Sequence, residues 1–293
     1  MTGSADDRLP TFLHASDHSL WSTAALVISL TRAGSEELQR GAADLLQVLD
    51  LATESVERGD VARLAAQAAA PVQQVAALLN GEGHLWAGQS DQALIAQGQA
   101  GGHAGALMAQ HGLPLLAGLA DAFATPGARM LDVGTGVAAI AVSYAQQFPE
   151  LTVVGIDVLP RVLALAAQHV ANSDVADRVV LREQDVSNLD EVDTYAFAWM
   201  PAPFLPEPAL KAGLDNVVTA LVPGGWLMLG HGKLDGSETE VAITRFKTIA
   251  YGGTALDNDE AQSALRTAGL SDVMTVPTPP GTPAATLGRK PVA

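Results

Sequence analysis

Cysteine is absent from this chain of 293 residues, which excludes disulfide bonds and thiolate metal sites. Long apolar runs are absent too, because the longest candidate, Ala24 to Leu30, is far shorter than the roughly 18 to 20 residues that span a bilayer. The N-terminus has neither the charged segment nor the apolar segment of a secretory signal. We therefore expect a soluble, cytoplasmic protein that does not enter the membrane.

Basic residues are scarce. The chain has 16 Lys and Arg residues against 32 Asp and Glu residues, so its net charge is −16. The segment up to Thr125 carries about half of this charge. Nucleic acids and anionic membranes bind basic surfaces, and a protein this acidic repels both. We expect a small-molecule substrate rather than DNA or RNA.

The stretch from Met130 to Ile140 organises the rest of the chain. It reads Met-Leu-Asp-Val-Gly-Thr-Gly-Val-Ala-Ala-Ile, an apolar run that passes through two glycines into a helical pattern. Glycines let the backbone approach a ligand closely, and the free N–H groups at the start of the helix point to the same place. The pattern predicts a binding site for a cofactor that carries a nucleoside.

Two cofactors are compatible with this turn. Gly134, Gly136 and Ala139 match the dinucleotide fingerprint in its form with a final alanine. Asp132, two residues before the first glycine, would repel a pyrophosphate and attract the ammonium group of a methionine-like cofactor. The pattern therefore favours S-adenosylmethionine over NAD. The alternative function for Asp132 is to cap the helix that starts near Gly136.

The segment Leu131–Gly136 resembles motif I of the class I S-adenosylmethionine-dependent methyltransferases. Further landmarks follow in the order of that family: acidic strand ends at Asp157 and Asp185, and a Pro-Gly-Gly turn at 223–225. The resemblance implies that Asp157 holds the ribose hydroxyls and that Asp185 with Val186 contacts the adenine edge. The candidate cofactor residues are Asp132, Gly134, Gly136, Asp157, Val158, Asp185, Val186 and Met200.

Alternation of apolar strand patterns with helical patterns predicts an α/β fold with a mostly parallel, Rossmann-like sheet covered on both faces. In the family, the last strand of this sheet is antiparallel. The predicted strands cover 129–134, 151–157, 178–183, 194–200, 225–230, 272–276 and 284–289. The predicted helices of this part cover 137–147, 160–171, 207–221, 237–250 and 258–268.

We divide the chain into a helical N-terminal domain at 1–88, linker or lid helices at 89–125, and the methyltransferase domain at 126–293. The pattern around 62–79 resembles the winged-helix-like dimerisation module of small-molecule O-methyltransferases, which implies a homodimer. Pro71 is expected to end one helix and start another. The alternative for this segment is a helical cover over the active site.

Candidate catalytic residues lie after strands four and five, where ligands gather in open α/β sheets. Amino-group methyltransferases carry an acid or amide where this chain has Met200, and the Asp of metal-dependent catechol types is missing, so we expect no metal. His231 is the candidate general base, and the alternative is a hydrogen-bonded loop histidine. The candidate substrate contacts are His103, Trp199, Phe204 and Tyr251, with simple packing as the alternative for Trp199.

The tail of the chain also resembles the natural-product O-methyltransferases of secondary metabolism. We therefore expect methyl transfer from S-adenosylmethionine to a hydroxyl oxygen of a small apolar or aromatic metabolite. The alternatives are an N- or C-methyltransferase, an NAD-dependent oxidoreductase, and a non-catalytic ligand-binding protein on the same fold.

Overall fold

The computed structural model describes residues 5–51, 53, 56, 58–81, 86–276, 278 and 284–292. A seven-stranded sheet forms its centre. The strands are β1 (Arg129–Val133), β2 (Thr152–Asp157), β3 (Val179–Glu183), β4 (Tyr195–Pro201), β5 (Leu221–His231), β6 (Ser271–Val276) and β7 (Ala284–Arg289). Their order across the sheet is β3-β2-β1-β4-β5-β7-β6.

Strands β1 to β5 are parallel, whereas β7 pairs antiparallel with both β5 and β6. The near-continuous apolar runs of the parallel strands explain this arrangement, since both faces of the sheet are covered. The predicted fold class is confirmed. The start of β5 was predicted too late, because Gly224 has a φ of +82° and interrupts a strand that already begins at Leu221.

Helices cover both faces of the sheet. Helices α7 (Ala139–Gln147) and α8 (Pro160–Ala171) pack on one face, here called the α7 face. Helices α9 (Glu207–Ala220) and α11 (Asn258–Thr267) pack on the other, here called the α9 face. Helix α10 (Glu238–Tyr251) follows β5 and contacts the segment after β4.

The N-terminal part is helical. Its helices are α1 (Ala5–Thr31), α2 (Glu36–Val48), α3 (Arg58–Leu79), α4 (Asp91–Ala100), α5 (Ala104–Leu107) and α6 (Leu119–Phe123). Helix α1 packs on α2 and α3, α3 packs on α4, and both α4 and α5 pack on α7. Within the described ranges, no residue before Arg129 lies in a strand, so the resemblance to a winged helix does not extend to a wing. None of the helices in these ranges is long and apolar enough to cross a membrane.

The prediction that Pro71 separates two helices is wrong. Helix α3 runs from Arg58 to Leu79 with Pro71 in its interior. A proline there removes one backbone hydrogen bond, but α3 lies against both α1 and α4. Packing on two neighbours stabilises helices more than local propensity does, so the helix continues.

A close backbone approach joins α5 to α7. The N–H of Gly105 donates to the hydroxyl of Ser143 at 3.0 Å. A Cβ atom placed on Gly105 would lie 2.3 Å from the carbonyl oxygen of Ser143. The helices preceding β1 can lie directly on α7 only because this residue is glycine.

We therefore expect Gly105→Ala to lower the free energy of unfolding by about 1 to 3 kcal/mol, since the added methyl group collides with backbone atoms. Gly41→Ala is the matched control, because a Cβ there meets nothing within 4 Å. Alanine in the helix interior at 41 should stabilise by about 0.5 to 1 kcal/mol. Urea unfolding of both variants measures the difference, and equal effects would contradict the proposed packing.

Candidate functional site

The turn after β1 leaves open space in front of its backbone. Gly134 and Gly136 have φ values of +64° and +57°, a region that favours glycine. A Cβ atom on Gly134 would meet only the ring of Pro201, at 3.9 Å. Helix α7 starts three residues after Gly136, and its cap residue Ala138 makes no side-chain hydrogen bond. The N–H groups at a helix start suit a polar ligand. The turn is thus a cradle with room for a cofactor.

Asp132 lies almost completely buried beneath this turn. Its Oδ2 atom accepts a hydrogen bond from the hydroxyl of Thr135 at 2.7 Å, while its Oδ1 atom is buried with no partner within the described part of the chain. Burial raises the pKa of Asp132 to about 7, an effect that the Thr135 hydrogen bond partly offsets. A buried acceptor without a donor is costly, and the ammonium group of S-adenosylmethionine could supply the missing donor, directly or through water.

The alternative of Asp132 as a helix cap is met in part. Helix α7 begins at Ala139, and the backbone N–H of Ala141 in its first turn lies near enough to the Asp132 carboxyl group to lower its pKa. Asp132 also holds Thr135, whose side chain lies over Gly155 so closely that a Cβ there would be 2.6 Å from the Thr135 hydroxyl oxygen. Asp132 therefore shapes the turn from below.

Asp157 joins the end of β2 to the same turn. Its Oδ2 atom accepts from the N–H of Gly136 at 3.0 Å, and its Oδ1 atom accepts from the N–H of Leu159 at 3.0 Å. Burial raises the pKa of Asp157, and these backbone hydrogen bonds act in the opposite direction. Each carboxylate oxygen keeps a further lone pair, so the group can still accept from two ribose hydroxyls.

The other predicted cofactor residues lie in different environments. Asp185 accepts from the N–H and the hydroxyl of Ser187, both at 2.8 Å. Val158 is exposed, next to Asp157. The Val186 side chain is buried against α9, so only its backbone can face a ligand at this edge.

Met200 requires a correction. Its side chain is fully buried on the α9 face, where its Cε atom would lie 2.9 Å from a Cβ on Gly213. Alternate side chains of a strand point to opposite faces, and this parity directs Met200 away from the glycine turn. In this structure, its side chain contributes to the core rather than to the cofactor site.

Trp199 lies on the α7 face, beside Asp132. The two residues are paired in the register of β1 and β4, and paired residues of neighbouring strands share a face. The indole ring covers Gly230 in β5, where a Cβ would lie 2.3 Å from the indole Cη2 atom. Part of the Trp199 side chain is therefore used in packing, which is the alternative interpretation, and the residue stays half-buried.

His231 lies on the opposite face and has no exposed surface. Its Nε2 atom is 2.9 Å from the hydroxyl of Thr286, which is also 2.9 Å from the hydroxyl of Thr275. Burial lowers the pKa of His231, which keeps the ring neutral near pH 7. This position favours the alternative of a hydrogen-bonded histidine and gives no route for a substrate to the ring.

An aromatic cluster lies beyond the end of β4. The ring centroids of Trp86, Phe204 and Tyr251 are 4.9 Å (Trp86 to Phe204), 5.8 Å (Trp86 to Tyr251) and 5.0 Å (Phe204 to Tyr251) apart. Trp86 also packs on the apolar cluster that contains Val137 and Ala139, just after the glycine turn. The structure thus brings together two of the four predicted substrate residues and adds Trp86.

Two hydrogen bonds and a close backbone approach hold this cluster in place. The N–H of Thr254 donates to the carbonyl oxygen of Ala202 at 2.9 Å, and the Thr254 hydroxyl donates to the carbonyl of Leu205 at 2.8 Å. A Cβ on Gly253 would lie 1.9 Å from the carbonyl oxygen of Pro203. The glycine therefore lets the end of α10, with Tyr251, lie directly against the segment that carries Phe204.

Sequence reasoning missed Gln74 altogether. Its Oε1 atom accepts from the Tyr251 hydroxyl at 2.6 Å, and its Nε2 atom donates to Oε1 of Gln97 at 2.6 Å. Gln74 and Tyr251 are 177 residues apart in the chain, and no local pattern marks such a pair. The glycine-flanked position of Trp86 was the only local signal for that residue.

His103 lies apart from the aromatic cluster. It lines a groove of about 320 Å³ between the corner of α4 and α5 and the helices α7 and α8, together with Ser143 and His169. Its Nδ1 atom is buried without a partner among the described residues. The structure therefore does not bring His103 together with the other predicted substrate residues. Across the described ranges, no group of three or more potential metal ligands occurs.

Comparison with known proteins matches part of the chain to methyltransferases. Residues 130–225 match the family described as a methyltransferase domain. An O-methyltransferase family protein from Burkholderia thailandensis has the same fold over 100% of this chain and 99% of its own, with a TM-score of 0.64 and 16% identity. Human N-acetylserotonin methyltransferase in complex with S-adenosylmethionine matches over 99% of this chain and 100% of its own, with a TM-score of 0.62 and 15% identity.

Similarity to curated sequences is confined to part of the chain. A release factor glutamine methyltransferase from Rhodopirellula baltica is 31% identical over 114 residues, which are 39% of this chain and 37% of that protein. The chain spans about half or less of the length of the curated relatives it matches. Residues 130–225 therefore match a methyltransferase domain, and the sheet that contains them has the class I fold. The match favours S-adenosylmethionine over NAD as the cofactor.

The buried carboxyl group of Asp132 predicts a pH dependence of stability. Its folded pKa of about 7 lies above its ordinary value of 3.8, so the folded protein binds more protons than the unfolded chain between these values. Stability relative to Asp132→Asn should therefore fall as the pH rises toward 7, by up to about 1.4 kcal/mol per pH unit. Urea unfolding at pH 5, 6, 7 and 8 measures this, and a constant difference between the two proteins would contradict it.

Asp157→Ala should weaken S-adenosylmethionine binding by about 1.5 to 3 kcal/mol, since the ribose would lose two charge-assisted hydrogen bonds. The loss corresponds to a Kd roughly tenfold to a hundredfold higher. Asp215→Ala, on the exposed side of α9, is the control and should bind normally. Isothermal calorimetry measures both variants, and an unchanged Kd for Asp157→Ala would show that the ribose binds elsewhere.

Proposed function

We propose that this protein transfers a methyl group from S-adenosylmethionine to a hydroxyl oxygen of a small aromatic metabolite. The observation that carries the proposal is the cluster of Trp86, Phe204 and Tyr251 at the carboxyl edge of β4, next to the glycine turn. Stacked or edge-on contacts with such rings favour planar aromatic ligands. The acidic net charge of −16 also disfavours anionic polymers as substrates.

The residues of the turn fit the cofactor. Asp132 has a buried oxygen without a partner among the described residues, and Asp157 has lone pairs for ribose hydroxyls. Gly134 and Gly136 carry no side chain that would fill the space in front of the turn. When bound, S-adenosylmethionine supplies a methyl group on a sulfonium sulfur. Held by Asp132, Asp157 and the glycine turn, the cofactor would give this methyl group to the acceptor oxygen and leave as S-adenosylhomocysteine, and the acceptor hydroxyl would release its proton.

Positioning is the main contribution of the protein to this reaction. Holding a nucleophile in line at about 3 to 3.5 Å and excluding water supplies several kcal/mol without a base. His231 is buried on the far face of the sheet, and burial raises the pKa of Tyr251 to about 12. Neither group therefore serves as a general base near neutral pH. We assign His231 a structural role, in place of the catalytic role predicted from its position after β5.

An amide nitrogen is the second candidate acceptor. The curated relatives are named release factor glutamine methyltransferases, which supports an amino-group substrate. Against this stands Met200, an apolar and fully buried residue at the position where the amino-group pattern carries an acid or amide. Without that polar group, an amide would lose the hydrogen bonds that align it, so we favour a hydroxyl oxygen.

A homodimer is part of the same proposal. Trp21 on α1, Val48 at the end of α2 and Leu79 at the end of α3 are largely exposed. Large apolar side chains exposed on neighbouring helices are typical of association surfaces. A second copy of the chain would bury them, as the resemblance to dimeric O-methyltransferases implies.

The test of the function is an acceptor screen with S-adenosylmethionine carrying a deuterated methyl group. Phenols, aryl amines and a glutamine-containing peptide serve as acceptors, and mass spectrometry detects product and S-adenosylhomocysteine. We expect a labelled methyl ether from a phenol. Light scattering of the same protein should give the mass of two chains. Transfer to the peptide alone would favour the second candidate, and binding without transfer to any acceptor would support a non-catalytic protein.

His231→Asn serves as the mechanistic arm of this screen. We expect a lower melting temperature, because the bond to Thr286 is disturbed, with an unchanged pH dependence of kcat. Loss of an ionisation from the kcat profile would instead restore His231 as a general base.

A further inference from the structure

A directed chain of hydrogen bonds runs between the N-terminal helices and α10. The Tyr251 hydroxyl donates to Oε1 of Gln74, and Nε2 of Gln74 donates to Oε1 of Gln97, both at 2.6 Å. Gln74 is only 7% exposed. A buried amide with both of its ends bonded has a defined orientation, because reversing it would place donors against donors.

The direction of these hydrogen bonds determines whether the two end residues, Tyr251 and Gln97, can donate to a ligand or accept from it. The single proton of Tyr251 is used on Gln74, so the phenol oxygen keeps its lone pairs and can only accept from a ligand. At the other end, Oε1 of Gln97 is occupied, and its Nε2 group has no partner in the part of the chain that the structure describes. Gln97 therefore offers N–H donors.

Both ends lie next to the site described above. The Tyr251 ring contacts Trp86 and Phe204. Gln97 precedes Gly98, which approaches Val137 so closely that a Cβ on Gly98 would lie 2.1 Å from its Cγ2 atom. Val137 directly follows Gly136 of the cofactor turn. The hydrogen bonds from Tyr251 through Gln74 to Gln97 thus extend from the aromatic cluster to the neighbourhood of the glycine turn.

We propose that Gln74 is a positioning residue for the methyl acceptor: it holds Tyr251 as an acceptor for the substrate hydroxyl, while Gln97 donates to a second oxygen of the same molecule. This inference rests on the proposed function and names its substrate class. The three hydrogen-bonded side chains are uncharged, so they suit an uncharged planar ring that carries a hydroxyl group and a carbonyl oxygen too far apart to bond each other. Recognition of both oxygens rejects rings that lack one, because a buried group then remains unpaired.

A purely structural function of Gln74 makes a different prediction. In that case the hydrogen bonds of Gln74 only tie α3 to α10. Their loss would lower the stability of the protein and weaken the binding of every ligand equally. A positioning function affects a ligand that has the hydroxyl group and spares one that lacks it. The test therefore compares two related ligands.

The probes are 3-hydroxyacetophenone, which has both oxygens and no internal hydrogen bond between them, and acetophenone, which lacks the hydroxyl. Their binding to the full chain saturated with S-adenosylhomocysteine is measured by ligand-observed NMR and by Trp fluorescence. We expect the wild-type protein to prefer 3-hydroxyacetophenone. Tyr251→Phe and Gln74→Met should weaken that compound about three- to tenfold, the usual effect of one hydrogen bond, and leave acetophenone unchanged.

Two further variants complete the test. Gln74→Glu keeps an acceptor for the Tyr251 hydroxyl and should retain more of the preference than Gln74→Met. Gln73→Met makes the same change at the neighbouring position of α3 and should behave as the wild type. Calorimetry with S-adenosylhomocysteine should give the same Kd for all of these proteins.

Three results would overturn the inference: equal weakening of both ketones, a parallel loss of S-adenosylhomocysteine affinity, or a wild-type protein that does not prefer the hydroxyl compound. These outcomes are separate from a failure of the proposed function. That failure would appear in the acceptor screen as transfer to nitrogen or as no transfer. The screen uses the wild-type protein and none of these variants.

Discussion

The hydrogen bond from the N–H of Gly136 to the carboxylate of Asp157 is the contact on which the site depends. It ties the turn after β1 to the end of β2 at 3.0 Å, and Asp132 holds the same turn from below through Thr135. Two buried acids thereby shape an open backbone turn that no apolar side chain could shape, since each hydrogen bond fixes a direction as well as a distance. The acidity of the site suits a cationic cofactor.

Glycines let the surrounding elements cover this turn. Gly98 lets α4 lie on Val137, Gly105 lets α5 lie on α7, and Gly253 lets the end of α10 lie on the segment after β4. Each contact is a close approach that a methyl group would prevent. The site is consequently assembled from three distant parts of the chain, and the cover over the cofactor turn belongs to the same packed unit as the sheet.

Strand parity explains the main differences between prediction and structure. Met200 and His231 were correctly located near the ends of β4 and β5, but both side chains lie on the α9 face. Trp199 and Asp132, in neighbouring strands, lie together on the α7 face. A shift of one residue moves a side chain to the other face of the sheet. Sequence motifs do not locate strand ends to within one residue, so they do not determine the face.

The sequence by itself determined the sheet, the glycine turn and the acids at or just after the ends of β1, β2 and β3, because these features arise from local patterns of apolar residues, glycines and strand ends. It also determined the class of cofactor, through Asp132 and the family resemblance. The tertiary structure alone decided that Gln74 meets Tyr251, that Trp86 joins Phe204, and that His231 is enclosed beside Thr286. Such contacts join residues far apart in the chain, and they depend on how whole helices pack.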